Sequence, residues 1–146
     1  MNTPNTSARG MRKAAARPLI KKALKTAAAH LAAAVLCAVV TNVYALFGHG
    51  IRSASMDLMF LYPLLGGTAV FASLAAALPR LPGRPRPISR AGYNLYNSGV
   101  AALTAAAMLT GIMDIAGTAS KWIAYIRAAG YILAAAAFVC QWMNRR

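Results

Sequence analysis

Asp57 and Asp114 are the only acidic side chains in the 146 residues, which contain no glutamate. Acid–base catalysis uses paired titratable groups whose environments drive their pKa values apart, and no such pair lies close together in this sequence. Asp57 closes the segment GHGIRSASMD, which gathers His49, Arg52, Ser53, Ser55 and Asp57 within nine residues. Ser53 or Ser55 is expected to cap a helix starting there. Asp57, in its first turn, would gain about 0.3–1 kcal/mol from the helix dipole. Arg127 stands out most, because it interrupts an otherwise uncharged run six residues after Lys121, roughly 9 Å along a helix. An unpaired guanidinium at that depth in lipid is costly, so it needs a partner or a route to water. Asp114 is the first expected partner and Asp57 the second, with the hydroxyls of Tyr62 and Tyr125 as further acceptors. Arg127, Asp114, Asp57, His49 and Arg52 thus form a candidate outward-facing pocket for an anion, or a structural ion pair with a snorkelling arginine.

Metal and thiol chemistry is not expected. His30 and His49 are 19 residues apart, roughly 28 Å along one helix, so they cannot clamp one ion or haem. Cys37 and Cys140 fall at different depths and read as small packing residues. The sequence has no phosphate loop, zinc-protease helix, nucleophile elbow or dinucleotide fingerprint. No cofactor is implied, and an enzyme is not expected. Asn97 and Thr104, continued by Gly111 at the same seven-residue spacing, and Asn42 beside Thr41, make a candidate interhelical polar stripe. It would either line a solute path or supply ordinary helix–helix hydrogen bonds, worth about 0.6–2 kcal/mol each.

The elements that would position these residues follow from where charge is absent. Hydrophobic residues make up 59% of the chain and charged residues 12%, an unusual balance for a soluble domain. Four stretches, about 26–47, 58–78, 91–113 and 122–143, carry almost no charge, Arg127 being the exception. At about 22 residues each spans roughly 33 Å as a helix, enough for a hydrocarbon core of about 30 Å. Strand alternation is absent from runs such as AAAHLAAAVLCAVV, and lipid offers backbone amides no partner, so all four are expected to be helices. The predicted fold is all-α: a polytopic membrane protein with four transmembrane helices in two antiparallel hairpins. Residues 1–23 form a basic cytoplasmic tail and 24–146 the transmembrane domain. Residues 14–25 are expected to extend the first span as an amphipathic helix at the lipid surface. Pro79, Pro82, Pro85 and Pro87 make the middle connection an extended turn. Pro63 is expected to kink the second span. Small residues at 69, 73 and 77, with Gly66 and Gly67 before them, and at 124, 128, 130 and 134, mark expected helix contacts. A shift of 65 residues aligns Ser53-Ala54-Ser55 with Thr118-Ala119-Ser120, a hint of duplication.

The formal charge is +14. Thirteen of the sixteen cations fall before the first span, in the middle connection, or at the C-terminus, while only Arg52 and Lys121 fall in the other connections. The positive-inside bias therefore places both termini and the middle loop in the cytoplasm. The basic segments lack the aromatic and polar readers of a nucleic-acid surface, so the expected partner is a bilayer with anionic headgroups, and nucleic acid is not expected. The first apolar run exceeds the usual 7–15 residues of a signal peptide and is expected to be retained. Tyr44, Phe47, Phe60, Tyr62 and Trp122 would form an outer aromatic belt, and Tyr93, Tyr96 and Trp142 an inner one.

Size and span count are similar to those of the small multidrug resistance exporters. That family is built around a glutamate in its first helix, where this chain has His30 and no acid. The expected setting is a cell membrane of the bacterial cytoplasmic kind. The expected role is a non-enzymatic bundle that binds a membrane-protein partner or assembles as a homo-oligomer. The alternative is a small transporter or channel component with the Arg127 pocket at its mouth.

Overall fold

The computed structural model describes residues 4–47, 51–80 and 88–144, and among them every regular element is helical. Helix α1 runs Pro4–Phe47, α2 Ala54–Asp57, a π-helical segment Tyr62–Ala69, α3 Val70–Ala77, α4 Arg90–Ile115 and α5 Lys121–Met143. Four helical stretches are long and apolar enough to cross a membrane: Ala14–Phe47, Ala54–Ala77, Arg90–Ile115 and Lys121–Met143.

The basic segment before the first span is part of α1. Alanine, lysine and arginine are strong helix formers, so the apolar helix extends through AAARPLIKKALK. Pro4 sits in the first turn, where its missing N–H is not needed. Pro18 lies inside the helix without ending it. The boundary expected at residue 23 therefore falls within one continuous helix.

The second span is the irregular one. Ser53 caps α2 by accepting the Ser55 amide at 3.2 Å. Residues 58–60 form a turn, and the π-segment then begins just before Pro63, whose ring removes one backbone donor. The kink expected at Pro63 is here a widened helix. Beyond the buried Met56 and Met59, the buried residues of this span are Pro63, Gly67, Phe71 and Ala75, continued by Leu78. That is the face beside the one expected from Ala69, Ser73 and Ala77, of which Ala69 and Ser73 are exposed. Size explains the difference: the inward face needs Phe71 as filler and Gly67 for clearance, so smallness alone did not mark it.

Packing is uneven. Helix α1 lies on the π-segment and α3, α4 touches α2, the π-segment and α5, and α5 packs against α4 alone among the described elements. The α4–α5 seam is built from glycines. A Cβ on Gly99 would come within 2.8 Å of the Gly130 carbonyl oxygen and the Ala134 nitrogen, and one on Gly130 within 2.8 Å of Leu103. Gly130 and Ala137 are buried seven residues apart on α5 and meet Gly99 and Gly92 respectively, seven residues apart in the reverse order on α4. Two small stripes thus let the backbones approach closely, the geometry by which helices associate in lipid. The expected contact residues Ala124 and Ala128 are exposed.

Candidate functional site

Polar side chains gather at two levels. At one end, Ser53 Oγ donates to Asp114 Oδ2 at 2.6 Å, and Thr41 Oγ1 donates to the Met56 carbonyl at 3.0 Å. Met56 and Met59 pack beneath them with Ala107, and Gly111 gives Met56 room. Arg52 forms a surface ion pair with Asp57, its Nε 3.1 Å from both carboxylate oxygens and its Nη2 2.9 Å from Oδ1. The hydrogen bond to Asp57, reinforced by the carboxylate's charge, holds the Arg52 guanidinium above its ordinary pKa. The space around Thr41, Arg52, Ser53 and Asp57 has no room for a water molecule.

Arg127 meets neither aspartate. Its Nη2 donates to Thr110 Oγ1 at 2.8 Å, and the Thr110 hydroxyl in turn donates to the Ala106 carbonyl at 2.7 Å. The geometry is simple: Asp114 lies one turn beyond Thr110 on α4 and is engaged by Ser53. The sequence-derived pocket residues thus fall into three sets, namely Arg52 with Asp57, Asp114 with Ser53, and Arg127 with Thr110. His49 lies outside the described residues.

The second level lies toward the basic end of α1, and the sequence reading did not assemble it. His30 Nε2 and Asn97 Oδ1 are 2.9 Å apart, joining α1 to α4. The imidazole stacks on Phe71, with centroids 5.8 Å apart and planes 10° from parallel. Gly67 is what admits it, because a Cβ there would overlap the ring, only 2.1 Å from its Cγ. One turn toward the basic end, Thr26 Oγ1 and Tyr93 Oη are 2.9 Å apart, and Lys22 Nζ sits 4.9 Å from the centre of the Tyr93 ring. Tyr96 Oη donates to the Gly66 carbonyl at 2.6 Å, and Thr68 Oγ1 donates to the carbonyls of Ala27 and Pro63 at 3.3 and 3.4 Å. The π-segment, Gly66-Gly67 and the aromatic trio Phe71, Tyr93 and Tyr96 therefore make one seam through the bundle.

Of the predicted polar stripe, Asn97 enters this seam. Thr104 donates to the Val100 carbonyl on its own helix, and Asn42 to the Ala38 carbonyl on its own. Tyr93 and Tyr96 engage the interior rather than standing as belt residues, whereas Phe47, Trp122 and Trp142 are largely exposed. The Pro63 and Gly66-Gly67 spacing and the polarity of Asn97 were the signals available for this site; that Asn97 meets His30 is fixed by how α1 and α4 are rotated about their axes, which residue spacing does not encode.

The seam separates two surface grooves. One, about 570 Å³, runs between α1 and α4 past His30, Cys37, Asn97 and Thr104. The other, about 490 Å³, lies between α3 and α5 and is lined by Phe71, Leu74, Tyr96 and Phe138 with Gln141 at one end. No group of three or more metal-ligating side chains occurs among the described residues. Comparison with protein-family models, curated proteins and solved structures gave no match.

Proposed function

We propose that this is a multi-pass membrane protein whose four spans form two antiparallel hairpins with cytoplasmic termini, acting as a non-catalytic bundle that assembles with a partner in the bilayer. The hairpin reading is supported by contacts in reversed order, Thr41 with Met56 and Ala27 with Thr68. Lys22, Arg90 and Gln141 belong to one end, through the Lys22–Tyr93 and Ser89–Gln141 contacts, which suits the cation asymmetry.

The observation that carries the assembly role is the packing imbalance. Within their most apolar windows only 11% of the first span and 17% of the fourth are buried, against 28% and 33% for the second and third. Among the described elements, helix α5 packs closely only against α4 and presents Tyr125, Ile132, Phe138 and Val139 outward, while α1 presents Val35, Val39 and Val43. Photo-crosslinkers placed at Val39 and Ile132 in native membranes are expected to trap one discrete protein mass from each face. Capture of lipid alone from both faces overturns the assembly role.

The transporter alternative is favoured by the outer polar groups, since Arg127 and Asp114 flank the α4–α5 connection. Its expectation is solute flux in liposomes that Arg127→Leu or Asp114→Asn abolishes.

A further inference from the structure

The groove between α1 and α4 has a chemical polarity along its length. Its wall is mainly small and apolar, with Ala29, Ala33, Ala101 and Ala105 leading toward Met108. Thr26 and Tyr93, hydroxyl to hydroxyl, stand at its basic end. Lys22, one turn before Thr26 and exposed, is held at that mouth by the Tyr93 ring. Arg90, also exposed, lies seven residues before Asn97 and so on the same stripe of α4. The groove thus has a cationic mouth, a hydroxyl step about 6 Å farther along the helix, and an apolar run beyond.

We propose that this groove binds one anionic phospholipid, with the phosphate between Lys22 and Arg90, the ester region beside Thr26 and Tyr93, and an acyl chain along the alanine wall. The inference rests on the membrane reading above. Charge complementarity selects the occupant. A helix from a second copy of this chain would meet the mouth either with its own basic end or, reversed, with Asp57 or Asp114, and both aspartates already accept from Arg52 and Ser53. A zwitterionic lipid brings a cation of its own. Basic pockets between transmembrane helices are a recognised form of anionic headgroup site.

The test is native mass spectrometry of the full chain in detergent with equimolar phosphatidylglycerol and phosphatidylcholine of matched acyl chains. A preference of about tenfold for phosphatidylglycerol is expected, and its loss in the Lys22→Ala, Arg90→Ala double variant. Ala33→Leu with Ala101→Leu, which fills the groove and leaves both cations, is expected to lower adducts of both lipids. Arg80→Ala, which removes an exposed cation at the same end outside the groove, is expected to leave the preference unchanged. Equal binding of the two lipids overturns the proposal, and so does an Arg80→Ala effect equal to that of the double variant. A dimer abolished by the leucine variants gives the groove to a second copy and overturns it too. Alkaline carbonate extraction keeps the two readings apart: release of the protein defeats the membrane reading, whereas a retained protein without lipid preference defeats only this one.

Discussion

Gly67 is the residue on which the inner polar seam depends. His30 occupies the volume that any side chain at 67 would take, with a Cβ meeting the ring at 2.1–2.5 Å. The ring is fixed by Phe71 and Asn97, so it cannot swing away without losing both contacts. Overpacking of this kind costs about 1–3 kcal/mol, and Gly67→Ala is expected to lower the thermal midpoint in detergent accordingly. Gly10→Ala, where a Cβ meets nothing within 4 Å and alanine favours the helix, should leave it unmoved or raise it; equal behaviour of the two variants would refute the packing argument. The His30–Asn97 bond itself should show a coupling of about 0.6–1.7 kcal/mol in a double-mutant cycle. Arg127→Leu, by contrast, removes one bond to Thr110 from an exposed side chain. It is expected to change the same midpoint far less than Gly67→Ala does.

At the scale of elements, α4 is the hub and α5 the most dependent helix, because among the described elements α5 has close backbone packing only with α4. Close approach at Gly99 and Gly130 is the condition of that packing. A Gly130→Leu side chain would collide with Leu103 and the Gly99 carbonyl, so it should separate the pair. Disulfide trapping between cysteines placed at residues 103 and 130, with the native cysteines replaced, should succeed rapidly in the otherwise unaltered chain. The companion test is trapping between 92 and 137, which face each other across the seam, in the Gly130→Leu background, where slow or absent trapping is expected; undiminished trapping there would show that the seam tolerates bulk. The spans themselves were legible in the sequence because exclusion of charge over about 22 residues is a one-dimensional signal. The π-segment was not, since helix type depends on how Pro63 and the Gly66-Gly67 pair are accommodated by α1 and α4. Ser53-Ala54-Ser55 and Thr118-Ala119-Ser120 look alike in sequence, yet only Ser53 caps with its side chain; Ser120 makes no such bond.

For the molecule as a whole, the same limit explains why the acidic residues were legible as groups at the span ends far from the basic segments while their partners were not. Depth along a span can be counted from the sequence, whereas azimuth is fixed only when helices pack, and azimuth gave Asp114 to Ser53 and Arg127 to Thr110. Orientation belongs to the counted quantities. In the proposed orientation thirteen cations fall on one side and two on the other, and each near a membrane surface contributes about 1 kcal/mol of attraction to anionic lipid, so a single orientation should dominate. In a chain with Cys37 and Cys140 replaced by serine, a cysteine substituted at Arg52 should react with a membrane-impermeant maleimide in intact cells. A cysteine at Arg90 should react only after permeabilisation. Equal labelling of both sites in intact cells would indicate dual insertion, and labelling of 90 alone would invert the bundle, moving Lys22 and its groove to the outer face.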